Sequence, residues 1–214
     1  MEKLQFQLIG DPEVAPAMAR YMKNKFKFLG LKATERKEQS KPLLRSSSKV
    51  DVPTLHAWIT ELYNRDYREY QYVAIDLATK NIKKWQLADL KVFRKFVTQK
   101  SWWDSVDSWR TLFGKYIQLH PDEKVRVFEQ FYQSTNIWER RVAINLQLME
   151  KENTDTDMLT KAILADSETD EFFIQKAIGW SLRQYSKTNP EWVKQFLEAH
   201  KLGNLAVREA QKYL

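Results

Sequence analysis

The chain has 214 residues and carries 35 Lys and Arg against 28 Asp and Glu, which gives a net charge of +7 and a pI near 9.4. The absence of cysteine excludes disulfides, thiol nucleophiles and cysteine-ligated metal or iron–sulfur sites. Only five glycines and six prolines occur, a balance that favours helices over sheets. We therefore expect one all-α domain, residues 1–214. The charge favours a polyanionic partner, although a solvated basic surface would produce the same excess.

The sequence lacks the features that are typical of several other classes of protein. The N-terminal sequence lacks the apolar stretch of a signal peptide, and no apolar run approaches the roughly 18–20 residues that cross a membrane. We therefore expect a cytoplasmic protein with no membrane partner. The three histidines, His56, His120 and His200, are far apart, so we expect no metal. Glycine-rich phosphate loops, serine-hydrolase elbows and zinc-protease motifs are also missing.

Helix starts are marked along the whole chain by a proline or an acid close to a capping side chain. Such signals occur at Asp11, Asp51, His120 and Asn189. A first helix is predicted to run from about Pro12 to a stop at Gly30. The serine-rich residues 45–49 are predicted to form a loop, without a domain boundary.

Internal repetition is the more informative signal. Three short segments share the pattern Ala-Ile-x-apolar, beginning at Ala74, Ala143 and Ala177, and a fourth, degenerate copy contains Ala210. The last three alanines are 34 and 33 residues apart, and the first two are separated by 69, or two periods with a divergent copy between them. This period is typical of stacked antiparallel helix pairs, in which small residues let neighbouring helices approach. The sequence thus predicts a curved solenoid whose second helices line the concave side.

The divergent copy falls in residues 101–109, which contain three tryptophans and two aspartates. On a helix, Trp103 and Asp107 are i,i+4 neighbours, so an indole and a carboxylate would share one face. The plainer interpretation makes Trp103 a core residue and Asp107 a capping or ion-pairing group. Trp102 and Trp109 lie off that face and are predicted to be core.

Cations and indoles recur at the corresponding positions of later repeats. Arg141 follows Trp138 by three residues. Lys176, Trp180 and Gln184 form an i,i+4,i+8 stripe on a helix, and Arg183 is a further cation close to it. Cations interleaved with indoles suit a phosphate backbone and exposed sugars or bases. Each cation taken singly would equally suit a solvated basic face.

Five ordered segments span essentially the whole chain and comprise Met18-Ala19-Arg20-Tyr21-Met22-Lys23-Asn24 followed by Phe28-Leu29-Gly30, Ser101-Trp102-Trp103-Asp104-Ser105-Val106-Asp107, Asn136-Ile137-Trp138 with Arg141, Phe172-Phe173-Ile174-Gln175-Lys176-Ala177-Ile178-Gly179-Trp180, and Lys187-Thr188-Asn189-Pro190. Together these segments resemble the AlkD family of HEAT-like-repeat DNA glycosylases.

The resemblance implies an ARM-like superhelix with a concave basic groove that binds duplex DNA. It further implies base excision repair, in which N3- and N7-alkylated purines such as 3-methyladenine and 7-methylguanine are hydrolysed from DNA without a metal or other cofactor. By motif match, Asp107 would be the catalytic carboxylate, and Trp103 and Trp180 would contact the deoxyribose. We expect such an enzyme to act as a monomer associated with the nucleoid.

The predicted DNA contacts are Tyr21, Lys32, Arg141, Lys176 and Arg183. The resemblance assigns phosphates to Arg141 and Arg183 and places Tyr21 on the helix that approaches the minor groove. Lys32 departs from the family pattern, which has Gln there, so the fine contacts near Tyr21 are in doubt. Two alternatives stay open: a DNA-binding paralogue that has lost catalysis, and a helical-repeat scaffold for an acidic peptide.

Overall fold

The computed structural model describes residues 4–214 and confirms the all-α prediction. Within this range there are twelve α-helices and no strand, apart from an isolated parallel bridge between Lys27 and Tyr67. None of the described helices is both long and apolar enough to span a membrane.

The chain divides into two compact units, one up to residue 86 and the other over Leu87–Leu214. The prediction of one domain over residues 1–214 stays a prediction. The helices of the first unit are α1 (Ala15–Tyr21), α2 (Ala33–Ser46), α3 (Val52–Asn64) and α4 (Arg68–Lys80). Those of the second are α5 (Leu87–Val97), α6 (Trp103–Leu119), α7 (Lys124–Glu129), α8 (Ile137–Asn145), α9 (Thr156–Leu164), α10 (Phe172–Tyr185), α11 (Pro190–Ala199) and α12 (Asn204–Ala210).

Two of the predicted helix starts are confirmed by their capping hydrogen bonds. The Asp51 carboxylate accepts from the Thr54 amide at 2.7 Å, and the Asn189 side chain accepts from the Trp192 amide at 3.0 Å. At His120 the chain first makes a 3₁₀ turn and then continues into α7. Such caps satisfy amides that the first helical turn leaves without an internal acceptor.

The predicted helix from Pro12 to Gly30 is wrong, because α1 ends at Tyr21. Lys23 and Asn24 adopt left-handed backbone conformations, with φ of 56° and 55°, which a right-handed helix does not accommodate. Gly30, with φ of 94°, instead lies in irregular backbone between α1 and α2, where its amide donates to the buried Glu69 carboxylate at 2.9 Å.

The predicted loop at residues 45–49 is also wrong, since α2 continues to Ser46 and a 3₁₀ turn covers Ser47–Lys49. The serine hydroxyls fold back onto the helix: Ser46 and Ser47 donate to carbonyls three residues earlier at 3.0 and 2.8 Å. This local bonding satisfies the serines within a helical turn, so their turn-forming tendency is not expressed.

The repeat prediction is confirmed within Leu87–Leu214, where α6 packs on α8, α8 on α10 and α10 on α12. The repeating alanines of these helices are buried: Ala143 on α8, Ala177 on α10 and Ala210 on α12. The Ser181 hydroxyl donates to the Ile144 carbonyl at 2.6 Å and joins α10 to α8. One continuous stack is therefore formed by the second helix of each successive pair, namely α6, α8, α10 and α12. This stack carries most of the predicted site residues. In the other unit, Ala74 is fully buried on α4.

Candidate active site

One face of α6 is fixed by aromatic packing, and this fixes the direction of the opposite face. Trp109 is fully buried and stacks on Phe93 and Phe96 of α5, with ring centroids 5.6 and 5.4 Å apart. The prediction that Trp109 is core is confirmed. Asp107 lies two residues earlier, about 200° around the helix, and so projects from the other side.

A bidentate ion pair joins Asp107 to Arg141 of α8. Arg141 donates from Nε to Oδ1 at 2.9 Å and from Nη2 to Oδ2 at 2.8 Å. The Asp107 side chain keeps 19% of its surface exposed, whereas that of Arg141 keeps only 7%. The carboxylate is therefore held in one orientation by a buried guanidinium while part of it stays open to solvent.

Arg141 is itself anchored on the side away from Asp107. Its Nη1 donates to the Phe173 carbonyl at 2.6 Å. The Phe173 ring packs on Trp102 and Trp138, each at a centroid distance of 4.9 Å. Trp102 is only half-buried in this aromatic cluster, so the prediction that it is a core residue is wrong.

Trp180 of α10 adjoins the same charged groups. Its ring centroid lies 6.0 Å from the Arg141 guanidinium carbon and 5.6 Å from that of Arg110 on α6. Both distances are within the range of cation–π attraction. An indole, one carboxylate and two guanidiniums are thus gathered from three successive helices of the stack.

The two other predicted cations of α10 converge on one buried carboxylate. Glu209 of α12 accepts from Arg183 at 2.9 Å, from Lys176 at 3.2 Å and from Lys212 at 2.7 Å. The hydrogen bond from Lys212, followed by that from Lys176, lowers the pKa of Glu209 to about 2. The cluster keeps a net charge of +2, and the three cations remain between 26% and 48% exposed.

Comparison with known proteins decides the family. A model of the DNA alkylation repair enzymes matches residues 3–214. The chain belongs to the DNA alkylation repair enzyme family. It is also 51% identical to the protein described as a predicted DNA alkylation repair enzyme from Enterococcus faecalis, with a TM-score of 0.96 and 99% coverage of each chain.

More distant relatives of this repair enzyme share its fold. AlkD2 from Streptococcus mutans is 19% identical with a TM-score of 0.68, and smu.31 from Streptococcus mutans UA159 is 20% identical with a TM-score of 0.67. Both alignments cover 94% of this chain and 99% of the other. At this identity they support an AlkD-like helical-repeat fold and nothing finer. No curated protein matches the chain.

Six of the eight predicted site residues of this repair enzyme lie in the second unit. Trp103 and Asp107 lie on α6 one helical turn apart, with Arg141 and Trp180 on the two helices that follow in the stack. Trp103 and Trp180 are both half-buried. Their joint contact with a sugar, and the basic groove itself, stay predictions.

Tyr21 and Lys32 belong to the first unit of the enzyme. Tyr21 ends α1 with 69% of its surface exposed, and Lys32 is an exposed residue immediately before α2. The Lys32 amide donates to the Glu35 carboxylate at 2.9 Å, which fixes the start of that helix. Their predicted contacts with DNA remain untested.

Sequence reasoning missed two residues of the enzyme that the structure places among the predicted ones. Arg110 lies three residues after Asp107, and continuing the same helical face by one turn would have found it. Glu209 lies in the degenerate fourth repeat, where only Ala210 was singled out. No local sequence signal indicates that Glu209 would meet cations from α10, because that contact depends on the stacking of two helices.

Proposed function

We propose that this protein is a monofunctional DNA N-glycosylase that removes cationic N3- and N7-alkylated purines from duplex DNA in base excision repair. The observation that supports this activity best is the partly exposed Asp107 carboxylate, fixed by Arg141 beside the indole of Trp180. Family membership supports DNA repair, and the fixed negative charge of the Asp107 carboxylate supports hydrolysis of a bond that leaves a cationic sugar.

The chemistry of the substrate sets what the site has to supply. Alkylation at N3 or N7 places a positive charge on the purine, which weakens its bond to deoxyribose and makes the base a good leaving group. Positive charge then moves to the sugar as the bond breaks. A fixed carboxylate stabilises such an oxocarbenium-like transition state and orients the attacking water. Asp107 has this role in the proposal, since each of its oxygens accepts one bond from Arg141 and retains further acceptor capacity.

The indoles add a second source of stabilisation. The electron-rich faces of Trp103 and Trp180 would contact the cationic sugar, and each such contact contributes about 0.5–2 kcal/mol. A general acid is not needed for a base that already carries a positive charge, and accordingly none is assigned.

Binding of DNA is assigned to cations on several helices. Arg141 and Arg183 would contact phosphates of the lesion strand, with Lys176 beside them, while Tyr21 and Lys32 would contact DNA from the first unit. In this proposal the partner is duplex DNA, and neither a membrane nor a metal or other cofactor takes part. The enzyme would act as a cytoplasmic, nucleoid-associated monomer.

A base-release assay tests the activity directly. Duplex DNA with a single 7-methylguanine is incubated with an excess of the protein, and free base and abasic sites are measured together. The proposal predicts equal amounts of both products without strand cleavage. Salt-dependent DNA binding without base release would indicate a silent DNA-binding paralogue, and absence of such binding would favour the acidic-peptide scaffold.

A further inference from the structure

Arg110 is a buried cation that the proposed chemistry does not use. It retains 7% of its surface, and its Nε is buried without a hydrogen-bond partner among the described residues. Burial lowers the pKa of its guanidinium to about 10; the Asp107 carboxylate opposes this shift and the Arg141 guanidinium adds to it. The side chain stays charged at neutral pH although burial of an incompletely bonded ion is costly.

The charges of the site do not balance without a further anion. Asp107 carries one negative charge, and its bidentate pair with Arg141 cancels one positive charge. Arg141 by itself would therefore present no net charge to a phosphate. Arg110 raises the total for the three side chains to +1, and the indole of Trp180 lies against both guanidiniums.

We propose that Arg110 supplies the positive charge that lets the Asp107–Arg141 pair bind a backbone phosphate of DNA. Arg141 contacts the phosphate, and the buried Arg110 is a positioning residue whose positive charge favours that contact without touching the phosphate. This inference rests on the proposed function, since it assigns a phosphodiester of the substrate to the same site. Binding of that phosphate brings the charge of the site to zero before positive charge develops on the sugar.

The same arrangement explains how a cationic substrate is accepted. A site with a net charge of +1 would repel an alkylated purine, whereas a site completed by a phosphate would not. The ligand that completes it belongs to the DNA strand that carries the lesion. Recognition of the backbone and tolerance of the cationic base are therefore coupled through Arg110.

Substitutions at Arg110 separate charge from packing. Arg110→Met keeps much of the volume and removes the charge, and replacement of a buried ionic group by an apolar one is often neutral for stability. Arg110→Lys keeps the charge and loses the guanidinium shape. Lys115→Met, at an exposed position of the same helix, is the matched control for loss of one positive charge.

Binding is measured with a duplex that contains a stable tetrahydrofuran abasic analogue, in which each phosphate near the analogue is replaced in turn by a neutral methylphosphonate. The wild-type protein is expected to lose affinity by about tenfold at one or two linkages. Arg110→Met should bind the unmodified duplex about tenfold more weakly than the wild type, and a methylphosphonate at those linkages should not weaken its binding further. The slope of its log affinity against log salt concentration should be smaller by about 1. Arg110→Lys should restore both properties, and Lys115→Met should keep the wild-type pattern of sensitive linkages.

A purely structural role predicts different results. The inference is overturned if Arg110→Met binds DNA with unchanged affinity and an unchanged salt slope. It is also overturned if the loss of affinity from Arg110→Met and the loss from a neutral linkage multiply at every linkage. Thermal unfolding shows whether Arg110→Met has failed to fold. If it has, the affinity of Arg110→Lys for the duplex decides the question. The proposed activity fails separately, because the linkage scan detects the phosphate site even in a protein that releases no base.

Discussion

Arg141 grips the carboxylate of Asp107 through two parallel hydrogen bonds of 2.9 and 2.8 Å, and the two residues are 34 residues apart in the chain. This separation is the same as that between Ala143 and Ala177. The ion pair therefore joins equivalent positions of successive repeats. Stacking of α6 on α8 brings these two positions together, so the repeat that builds the core also builds the site.

Substitution of Arg141 should separate charge from geometry. Arg141→Lys keeps a cation but loses the planar fork that bonds both carboxylate oxygens and the Phe173 carbonyl. We expect single-turnover release of 7-methylguanine to fall by about tenfold or more, with a loss of stability of about 1–3 kcal/mol. Arg126→Lys, at an exposed position, should change neither quantity. Full activity in Arg141→Lys would show that the fork geometry is unimportant.

The Glu209 cluster should make stability depend on acid. Because the pKa of Glu209 is lowered from 4.5 to about 2 in the folded protein, its contribution is complete above pH 4.5 and is lost as the pH falls towards 2. Glu209→Gln should be less stable than the wild type at pH 7. Between pH 4.5 and 2 its free energy of unfolding should fall by less than that of the wild type. Denaturant unfolding at a series of pH values measures both effects. The exposed Glu198→Gln variant serves as control, and an acid profile shared by all three proteins would contradict this account.

Loss of the Trp180 indole should affect chemistry more than folding. Trp180→Leu removes a ring that adjoins the charged groups of the site, and we expect excision to slow by roughly 2- to 30-fold, corresponding to about 0.5–2 kcal/mol. Trp192, which packs on Tyr185 and Phe196, supplies the control. Trp192→Leu should lower the unfolding temperature while the excision rate of the folded protein is kept. Equal excision rates in wild type and Trp180→Leu would remove the indole from the proposed mechanism.

The contact between α10 and α12 should tolerate no side chain at Gly179. A Cβ there would come within 2.8 Å of the Ala206 carbonyl oxygen and would also meet the Glu209 side chain. Gly179→Ala should therefore lower the free energy of unfolding by about 1–3 kcal/mol, despite the better helix propensity of alanine. Gly114→Ala is the comparison, because its Cβ would meet its nearest atom, the Leu146 carbonyl oxygen, at 3.0 Å. Denaturant unfolding should show the smaller loss for Gly114→Ala, and the reverse order would contradict the packing argument.

The features that could be predicted from the sequence are those set by periodicity and local capping. The spacing of Ala143, Ala177 and Ala210 predicted a helical stack because small residues repeated every 33 or 34 positions are typical of stacked helix pairs. Asp51 and Asn189 marked helix starts because their side chains bond amides of the adjoining turn. The misplaced boundaries come from backbone conformations at Lys23 and Asn24, and from serine hydroxyls that bond within a helical turn.

The pairing of charges at the site could be predicted only in part. Trp103 and Asp107 share a helix, so their proximity follows from i,i+4 spacing. Arg141 was singled out as a phosphate ligand. The plainer interpretation made Asp107 an ion-pairing group but named no partner, since a repeat period aligns positions without fixing side-chain rotamers. Glu209 shows the same limit, because a carboxylate from the last repeat decides where Lys176 and Arg183 point in the free protein.

The central claim is that the Asp107 carboxylate stabilises the cationic sugar as the base leaves. Asp107→Asn keeps the size of the side chain and removes its charge, so single-turnover release of 7-methylguanine compares the two proteins on the same duplex, with binding measured alongside. The account predicts a fall in rate of about 10²-fold or more with DNA affinity retained, the scale of losing one preorganised charged group. An unchanged release rate in folded Asp107→Asn would contradict it.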